Sequence, residues 1–436
     1  MAELGSLNGV VTDPLAGFSK LDADGRDARL IALGAVTADD LAQLREGLPP
    51  EAARLMIENH VAEFGIPMGV AIGVPVDKRV YPAVPMVTEE SSVVATVGNI
   101  SRLIRERGDL STEVLGTGSI GQIHFDYVAD PAAFEEAVLG SQERIIDYVN
   151  SSLIPNMVAR GGGMTGMEVR HHPLPDGTHM AVVHVIIDAC DAMGANIVNQ
   201  VCQDLQGPLE EITGEKVNLR ILSNLADERL VSAEIAIPDF DPEQGNKIAR
   251  ASLLAHVDPW RAATHNKGIM NGVTAVVTAT GNDTRAVEAG AHAFAARDGQ
   301  YRGLSEWHMV DGTLVGRMRI PMAVGTVGGI TNVHPQVQRA HAMLGNPSAN
   351  ELGRIISATG LIQNLGALKA LTSENGINGG HMKLHASNLA AGTGATREEI
   401  GPLTIYLREL HASTGRISPT DAQAGLQLLR AQEQGV

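Results

Sequence analysis

Apolar residues recur along the chain at two different spacings, which separate helix-like from strand-like segments. Apolar positions three and four residues apart predict helices at 26–34, 38–47, 51–64, 92–107, 243–255, 284–296, 335–344, 349–371 and 396–432. Alternating or continuous apolar runs predict strands at 68–76, 79–87, 307–310 and 314–321. This mixture of helices and strands predicts a fold of the α+β class.

Residues 121–237 have their own order of predicted elements. Strand 121–128 and helix 131–151 are followed by strands 168–171 and 180–189, helix 195–212, and strands 216–222 and 230–237. This β-α-β-β-α-β-like order is that of a split βαβ, ferredoxin-like unit. We therefore expect a small α+β domain inserted into a larger one. The expected boundaries are 1–116 and 227–378 for the two parts of the large domain, 117–226 for the small domain, and 379–436 for a helical C-terminal domain.

A Gly-rich sequence opens the small domain. Residues 116–121, Gly-Thr-Gly-Ser-Ile-Gly, formally match the GxGxxG pattern of dinucleotide-binding Rossmann folds. That pattern requires a helix directly after it, whereas residues 122–128 alternate like a strand. We therefore reject a Rossmann site at this position.

A polar stretch in core-like surroundings is the main candidate site. Residues 258–272 contain Arg, His, Lys and two Asn residues between apolar flanks, and Lys267 is among them. A buried ammonium group needs a carboxylate or an anionic ligand, and Asp283 is the nearest carboxylate candidate in sequence. The alternative is that Lys267 lies on a solvated loop and Asp283 only caps the helix that follows it.

Two Gly-containing segments are candidates for close contact with a ligand. The turn at 191–196, Asp-Ala-Met-Gly-Ala-Asn, lies between a strand and a helix, so that its N–H groups suit a phosphate or a ribose. The alternative is an ordinary capped turn. The segment 324–331 either lines a ligand or permits tight backbone packing.

Candidate proton carriers lie in two other places. Glu90 stands at the start of helix 92–107, where a carboxylate either caps the helix or projects into a site. His381 and His385 fall on one face of a predicted helix. The glycines at 379 and 380 precede that helix, as the hinge of a closing flap would require.

Composition narrows the class of ligand and the compartment. The 436 residues carry a formal net charge of -17, which argues against a nucleic-acid surface and leaves anions to local basic clusters. No apolar run approaches the roughly 20 residues of a membrane helix, and the N-terminus lacks the pattern of a signal peptide. The two cysteines, Cys190 and Cys202, are too few for a disulfide scaffold. We therefore expect a cytoplasmic protein that binds neither membrane nor nucleic acid.

Taken together, five segments resemble those of the 3-hydroxy-3-methylglutaryl-coenzyme A (HMG-CoA) reductase family. They are residues 88–90, 191–196, 258–272, 279–283 and 381–385, in that order, and the resemblance extends from about residue 18 to residue 428. The absence of an anchor makes the chain similar to the soluble class II form. The resemblance implies a large domain built around a central helix, a split βαβ dinucleotide domain, and a C-terminal helical flap.

The resemblance also implies an activity and a catalytic set. The family reduces a thioester to an alcohol with two successive hydrides from NADH or NADPH and releases coenzyme A. The residues that match the catalytic positions are Glu90, Lys267, Asp283 and His381. Chemistry suits these types, because an ammonium stabilises an oxyanion and an imidazolium protonates a departing thiolate. Asp283, placed beside Glu90, would keep that carboxyl group protonated and hold Lys267 as well.

Binding residues are implied in the same way. Arg261, with Ser92 and Asn271 beside it, matches the site of the substrate carboxylate, for which a planar guanidinium is suited. Lys20 matches a contact to coenzyme A phosphate, and His385 is placed near the same ligand. The residues that match the dinucleotide turn are Asp191, Met193, Gly194 and Asn196.

Cofactor choice and oligomeric state are less closely specified. Some class II members select NAD with an acidic residue before the Gly run at 161–163, whereas here residues 151–156 carry no acid and only Arg160 is basic. NADH and NADPH both stay open, as do the biosynthetic and catabolic directions. The family forms dimers with shared active sites, and Glu58-Asn59 lies in the matching segment, so a homodimer or larger homo-oligomer is expected.

Two other function classes compete with this interpretation. Fifteen histidines suggest a metallohydrolase, although no His-Glu-x-x-His or similar ligand spacing is present. A non-catalytic nucleotide- or coenzyme A-binding protein of the same fold would lack at least one of the four catalytic residues, and all four are present.

Overall fold

The computed structural model describes residues 13–373 and 378–433, with the side chains of 378–384 and 433 left out. Its α-helices are α1 (Ala23–Ala32), α2 (Ala38–Glu46), α3 (Pro50–Met56), α4 (Val93–Arg107), α5 (Pro131–Gly140), α6 (Gln142–Tyr148), α7 (Pro155–Val158), α8 (Ala195–Asp204), α9 (Gln206–Thr213), α10 (Pro242–Val257), α11 (Pro259–Ala279), α12 (Thr284–Ala295), α13 (Pro335–Met343), α14 (Ala349–Leu371), α15 (Asn378–Ala391), α16 (Arg397–Thr414) and α17 (Pro419–Glu433). A 3-10 turn covers Phe18–Lys20, and a π-helical segment covers Val149–Leu153. The strands are β1 (Met68–Val76), β2 (Arg79–Val87), β3 (Asp109–Val114), β4 (Gly118–Phe125), β5 (Gly163–Pro173), β6 (His179–Asp188), β7 (Val217–Leu222), β8 (Leu230–Ile237), β9 (Ser305–Val310) and β10 (Thr313–Pro321).

The strands form three sheets. One is the β1–β2 hairpin, the second has the order β3-β8-β10-β9, and the third has the order β5-β6-β4-β7. In the third sheet every neighbouring pair is antiparallel, and helices lie between β4 and β5 and between β6 and β7 in the chain. This is the connectivity of the split βαβ unit, so the predicted α+β fold with a ferredoxin-like sheet is confirmed. Residues 118–125 form β4, and the Gly-rich sequence is therefore not followed by a helix.

Helix α11 lies at the centre of the larger part of the fold. Asp258 caps it through the N–H groups of Trp260 and Arg261, and proline occupies its first turn. It packs against α14 so closely that a Cβ at Gly272 would lie 2.8 Å from the carbonyl oxygen of Thr359. The polar stretch is thus helical from Pro259 onwards rather than a solvated loop. His265 and Asn266 are buried, whereas Trp260 and the Lys267 side chain are 83% and 59% exposed.

The structure differs from the predicted elements in several places. The helix expected at 51–64 ends at Met56, because Ile57 has an extended backbone with a φ of -141° and a ψ of 150°. Strand β3 was not expected, since only Leu110 of its six residues is buried. The glycines at 379 and 380 lie within the first turn of α15 rather than ahead of it, which removes the predicted hinge from that position.

The C-terminal helices have a small core of their own. Its buried residues are Ala386, Ala390, Leu403, Leu407, Ala422 and Leu426. The predicted tail helix at 396–432 is divided into α16 and α17 by Gly415, which ends α16 in the left-handed conformation with a φ of 74°. None of the helices in the described part of the chain is long and apolar enough to cross a membrane.

Candidate active site

Three side chains from two distant segments meet beside α11. Lys267 and Asn271 lie one turn apart on this helix, so that both project from the same face. The Lys267 ammonium forms an ion pair with Oε2 of Glu90, which lies in the connection between β2 and α4. Asn271 Nδ2 donates a hydrogen bond to Oε1 of the same carboxylate at 3.1 Å. Both carboxylate oxygens of Glu90 are thereby held by donors from α11.

Asp283 has a different environment from the predicted one. Its Oδ1 accepts hydrogen bonds from the N–H groups of Arg285 at 3.0 Å and Ala286 at 3.1 Å, which makes it the N-cap of α12. Among the described residues, no hydrogen bond or ion pair joins Asp283 to Glu90 or Lys267. The expectation that Asp283 holds both groups is therefore corrected: Lys267 pairs with Glu90 directly, while the start of α12 holds Asp283.

A buried polar network fixes the rotation of α11. Asn266, next to Lys267, donates to the carbonyl oxygen of Arg302 at 2.8 Å and accepts from the N–H of Leu304 at 2.8 Å. His265 contacts Ser305 Oγ at 2.7 Å. Burial, with Arg261 next in importance, lowers the pKa of His265 to about 3, so that its imidazole is neutral at pH 7. These contacts lock the helix in the orientation that directs Lys267 towards Glu90.

His265 and Asn266 had no predicted role of their own. The signal that could have identified them is their position, since both directly precede Lys267 in a segment with apolar flanks. Both are almost completely buried, at 2% and 0% exposure. A buried amide or imidazole must be hydrogen-bonded, which marks such residues as fixed points of the fold.

Arg261 and Ser92 are each left with unused polar atoms. The guanidinium of Arg261 is half-buried and forms no hydrogen bond or ion pair with the described residues, and burial lowers its pKa. Ser92 begins α4 with a φ of 73°, and its hydroxyl does not cap the helix. A partly buried cation without an anion and a strained serine are features that ligand-binding sites favour.

Glu90 and Ser92 line a large open cleft. The cleft has a volume of about 2390 Å³, and Lys20 in the N-terminal 3-10 turn also lines it. Lys20 is exposed. The structure therefore brings the predicted coenzyme A contact and the predicted proton carrier to one cleft. The cleft is larger than the roughly 300–1,000 Å³ of most small-molecule pockets, so it can admit a ligand as large as an acyl-coenzyme A.

His381 and His385 both lie on α15, but only the side chain of His385 is among the described residues. The backbone of His381 lies in α15, but its side chain falls outside the described residues, so the prediction for this residue stays a prediction. His385, one turn further along the same helix, is exposed. Ser387, also on α15, lines the cleft that contains Glu90, which places this helix beside the cleft.

The turn between β6 and α8 is the candidate dinucleotide site. Gly194 begins α8 with a φ of 103°, and no side chain caps this helix, so its first N–H groups are available to an anion. Met193 precedes Gly194, and Asn196 is exposed in the first turn. Asp191 has a structural contact, since its Oδ1 accepts from the N–H of Ala349 at the start of α14 at 2.8 Å.

Comparison with known proteins gives a consistent result. Residues 25–386 match the model of the family described as hydroxymethylglutaryl-coenzyme A reductase. The chain is 41% identical over 434 residues to a 3-hydroxy-3-methylglutaryl-coenzyme A reductase of Archaeoglobus fulgidus, covering 98% of this chain and 97% of the relative. It is 34% identical over 346 residues to a probable reductase of Borreliella burgdorferi, with 77% of each chain covered.

Solved structures of the reductase from Streptococcus pneumoniae have the same fold. One superposes with a TM-score of 0.79 at 39% identity, covering 95% of this chain and 99% of the other. A second, a class II enzyme bound to NADPH in open conformations, has a TM-score of 0.78 at 40% identity, with 82% and 99% covered. Agreement of sequence and fold over nearly the whole length shows that the chain belongs to the hydroxymethylglutaryl-coenzyme A reductase family.

Proposed function

We propose that this protein reduces HMG-CoA to mevalonate and coenzyme A as a class II reductase, with NADPH as the hydride donor. The observation that carries the proposal is the Glu90–Lys267–Asn271 cluster, which the central helix presents beside an open cleft. A metallohydrolase has less support, since the described residues contain no group of three or more His, Cys, Asp or Glu that could hold a metal ion. A non-catalytic binding protein would not need Glu90, Lys267, Asp283 and His381 together.

The turn at Gly194 fits a dinucleotide. The N-terminus of α8 offers N–H groups and a helix dipole to a pyrophosphate, and the bare Gly194 lets the ligand approach the backbone. NADPH rather than NADH is proposed because the related Streptococcus pneumoniae enzyme is bound to NADPH. Residues 151–156 carry no acid that would repel a 2′-phosphate. Each of two NADPH molecules, bound in succession, would supply one of the two hydrides that the reduction consumes.

Lys267 stabilises the charge that develops on the substrate oxygen. Each hydride addition converts a carbonyl oxygen into an oxyanion, and a fixed ammonium lowers the energy of that state more than the energy of the carbonyl. Glu90 holds the ammonium in place and shares a hydrogen bond with it. The pair can therefore pass a proton to the alkoxide formed from the aldehyde, with Asn271 orienting the carboxylate.

The remaining residues of the proposed site bind the substrate and coenzyme A or donate a proton to the departing thiolate. Arg261, which lacks an anionic partner among the described residues, binds the carboxylate of the substrate as a bidentate donor, and the Ser92 hydroxyl assists. Lys20 contacts a phosphate of coenzyme A, and His385 lies near the same ligand. His381 protonates the thiolate that leaves when the hemithioacetal collapses.

Consumption of two equivalents of NADPH per coenzyme A released is the expected stoichiometry. The reason is that a thioester must be reduced twice to become an alcohol. The measurement is NADPH absorbance against thiol release, with HMG-CoA and with a parallel NADH reaction. One equivalent consumed, with an aldehyde as the end product, would contradict the proposal.

Asp283→Asn separates a catalytic role of Asp283 from capping. Asn caps helices about as well as Asp, so the melting temperature should stay close to that of the wild type. We expect turnover to fall by roughly a hundredfold, because position 283 matches the catalytic aspartate of the family and the variant removes its charge. The control is Asp283→Ala, which removes the cap and should cost about 1 kcal/mol of stability. Wild-type turnover of Asp283→Asn would leave Asp283 as a cap alone.

A dimer with shared active sites accounts for an exposed apolar segment. Leu55, Val61 and Phe64 are 80%, 94% and 92% exposed, and Phe64 lines the cleft that contains Glu90. Soluble monomers rarely expose contiguous apolar side chains of this size. Glu58 lies in the same segment. We propose that a second copy covers this segment and borders the cleft.

Analytical ultracentrifugation tests the dimer. The wild type is expected to sediment at a multiple of 45.9 kDa. Val61→Asp with Phe64→Asp should shift it towards the monomer and lower turnover together. A wild type that is monomeric at micromolar concentration and active would contradict the shared site.

We place the enzyme in the cytoplasm, where its free cysteines Cys190 and Cys202 would stay reduced.

A further inference from the structure

Arg229 is a buried cation held by neutral groups. It directly precedes β8 and is 4% exposed. Its Nη1 donates to the carbonyl oxygens of Ala192 at 3.2 Å and Met193 at 3.1 Å, and its Nη2 donates to that of Val324 at 2.8 Å. No described carboxylate lies within ion-pair distance of it; burial lowers its pKa, while the charges of Asp188 and Asp191 act in the opposite direction. A guanidinium in such a position is costly unless an anion approaches it.

The two segments that Arg229 joins are in direct backbone contact. The N–H of Thr326 donates to the carbonyl oxygen of Asp191 at 2.8 Å, and residues 192 and 327 form an isolated parallel bridge. A Cβ at Gly325 would lie 2.4 Å from the Met193 nitrogen, so this approach requires glycine. The turn before α8 is therefore fastened to residues 324–327 of the larger part of the fold.

The same segment is fastened to the loop that carries Asp283. The N–H of Gly325 donates to Oδ1 of Asn282 at 2.7 Å, and Asn282 directly precedes Asp283. Arg229 therefore lies where the dinucleotide turn, residues 324–327 and the Asp283 loop converge. A shift of this residue would move the turn relative to the loop that carries Asp283.

We propose that Arg229 is a positioning residue of the dinucleotide site. It holds the carbonyls of Ala192 and Met193 so that the N–H groups at the start of α8 face the pyrophosphate, and it places a positive charge behind that turn. The inference rests on the proposed dinucleotide-dependent function. It predicts that losing Arg229 weakens dinucleotide binding selectively and leaves HMG-CoA binding unchanged.

The test compares Arg229→Met and Arg229→Lys with the wild type. Dissociation constants for NADPH are measured by fluorescence titration and those for HMG-CoA by calorimetry, with melting temperature as the check on folding. Arg229→Met keeps the volume and removes the donors and the charge, and it should raise the NADPH Kd about tenfold or more. Arg229→Lys keeps the charge and some donors, and it should recover part of the affinity.

Arg220→Met is the matched control. Arg220 lies on β7, in the sheet that also contains β6, but its guanidinium contacts Gln206 instead of the turn. This variant should bind NADPH like the wild type. Equal weakening of both ligands in Arg229→Met, or the same loss in Arg220→Met, would show a general structural role and overturn the proposal.

The remaining outcomes are also decisive. If Arg229→Met does not fold, Arg229→Lys decides: a raised NADPH Kd with unchanged HMG-CoA Kd supports the proposal, and two unchanged constants overturn it. A wild type that binds HMG-CoA but not NADPH would instead refute the proposed function, so the two failures are distinguishable.

Discussion

Lys267→Ala is expected to lower turnover by roughly two to three orders of magnitude, because it removes a preorganised charge directed at the oxyanion. The structure adds a second reason. Glu90 Oε2 loses its ion-pair partner, so the carboxylate is no longer held in one position. The measurement is kcat with HMG-CoA and NADPH, together with the melting temperature of the variant.

Lys247→Ala is the matched control for this prediction. Lys247 lies on the neighbouring helix α10 and pairs with Glu243 one turn before it on the surface. Its removal should change turnover little, since exposed pairs of this kind contribute little to stability. A fall of less than about tenfold for Lys267→Ala in a folded protein would mean that Lys267 is not the oxyanion donor.

His381→Ala and Glu90→Gln are expected to differ in which half of the reaction they damage. In the proposed mechanism His381 protonates the departing thiolate, and mevaldehyde has no thiolate to expel. His381→Ala should therefore slow reduction of HMG-CoA by roughly a hundredfold or more and reduction of mevaldehyde far less. Glu90→Gln should slow both reactions, because the second alkoxide still needs a proton. Turnover is measured on both substrates, with coenzyme A added to the aldehyde assay.

His385→Ala provides the control on the same helix. His385 is exposed one turn beyond His381, and its replacement should affect coenzyme A binding rather than proton transfer. Equal losses on both substrates for His381→Ala would show that this residue positions the flap or the cofactor. The assignment of thiolate donor would then be withdrawn.

Local periodicity was sufficient to predict much of the fold. Strands β1, β2 and β8 have the predicted bounds, because a continuous buried run in β1 and β2 and a strict alternation in β8 are visible within each strand's own residues. The split βαβ sheet followed from the order of elements, and the pattern of α14 identified a long core helix. The sequence also identified the family. The order of five short segments supported that identification, which no single segment would have justified.

Other features depended on contacts between distant residues. The helical state of the polar stretch in α11 is stabilised by packing against α14 and by the bonds of Asn266, neither of which is local. The early end of α3 follows from the extended backbone of Ile57, which apolar spacing does not show. Tertiary context decides such cases because intrinsic propensity is a weak preference.

The composition of the catalytic cluster was determined by the sequence, whereas its pairing was decided by the tertiary structure. Glu90 and Lys267 are 177 residues apart in the chain, and only the packing of α11 beside the β2–α4 connection joins them. Asp283 is closer to Lys267 in sequence, but the first N–H groups of α12 hold it. These N–H groups have no partner within the helix and are therefore available to the carboxylate. Residue types specify which chemistry is available, and the rotation and packing of the helices decide which groups meet.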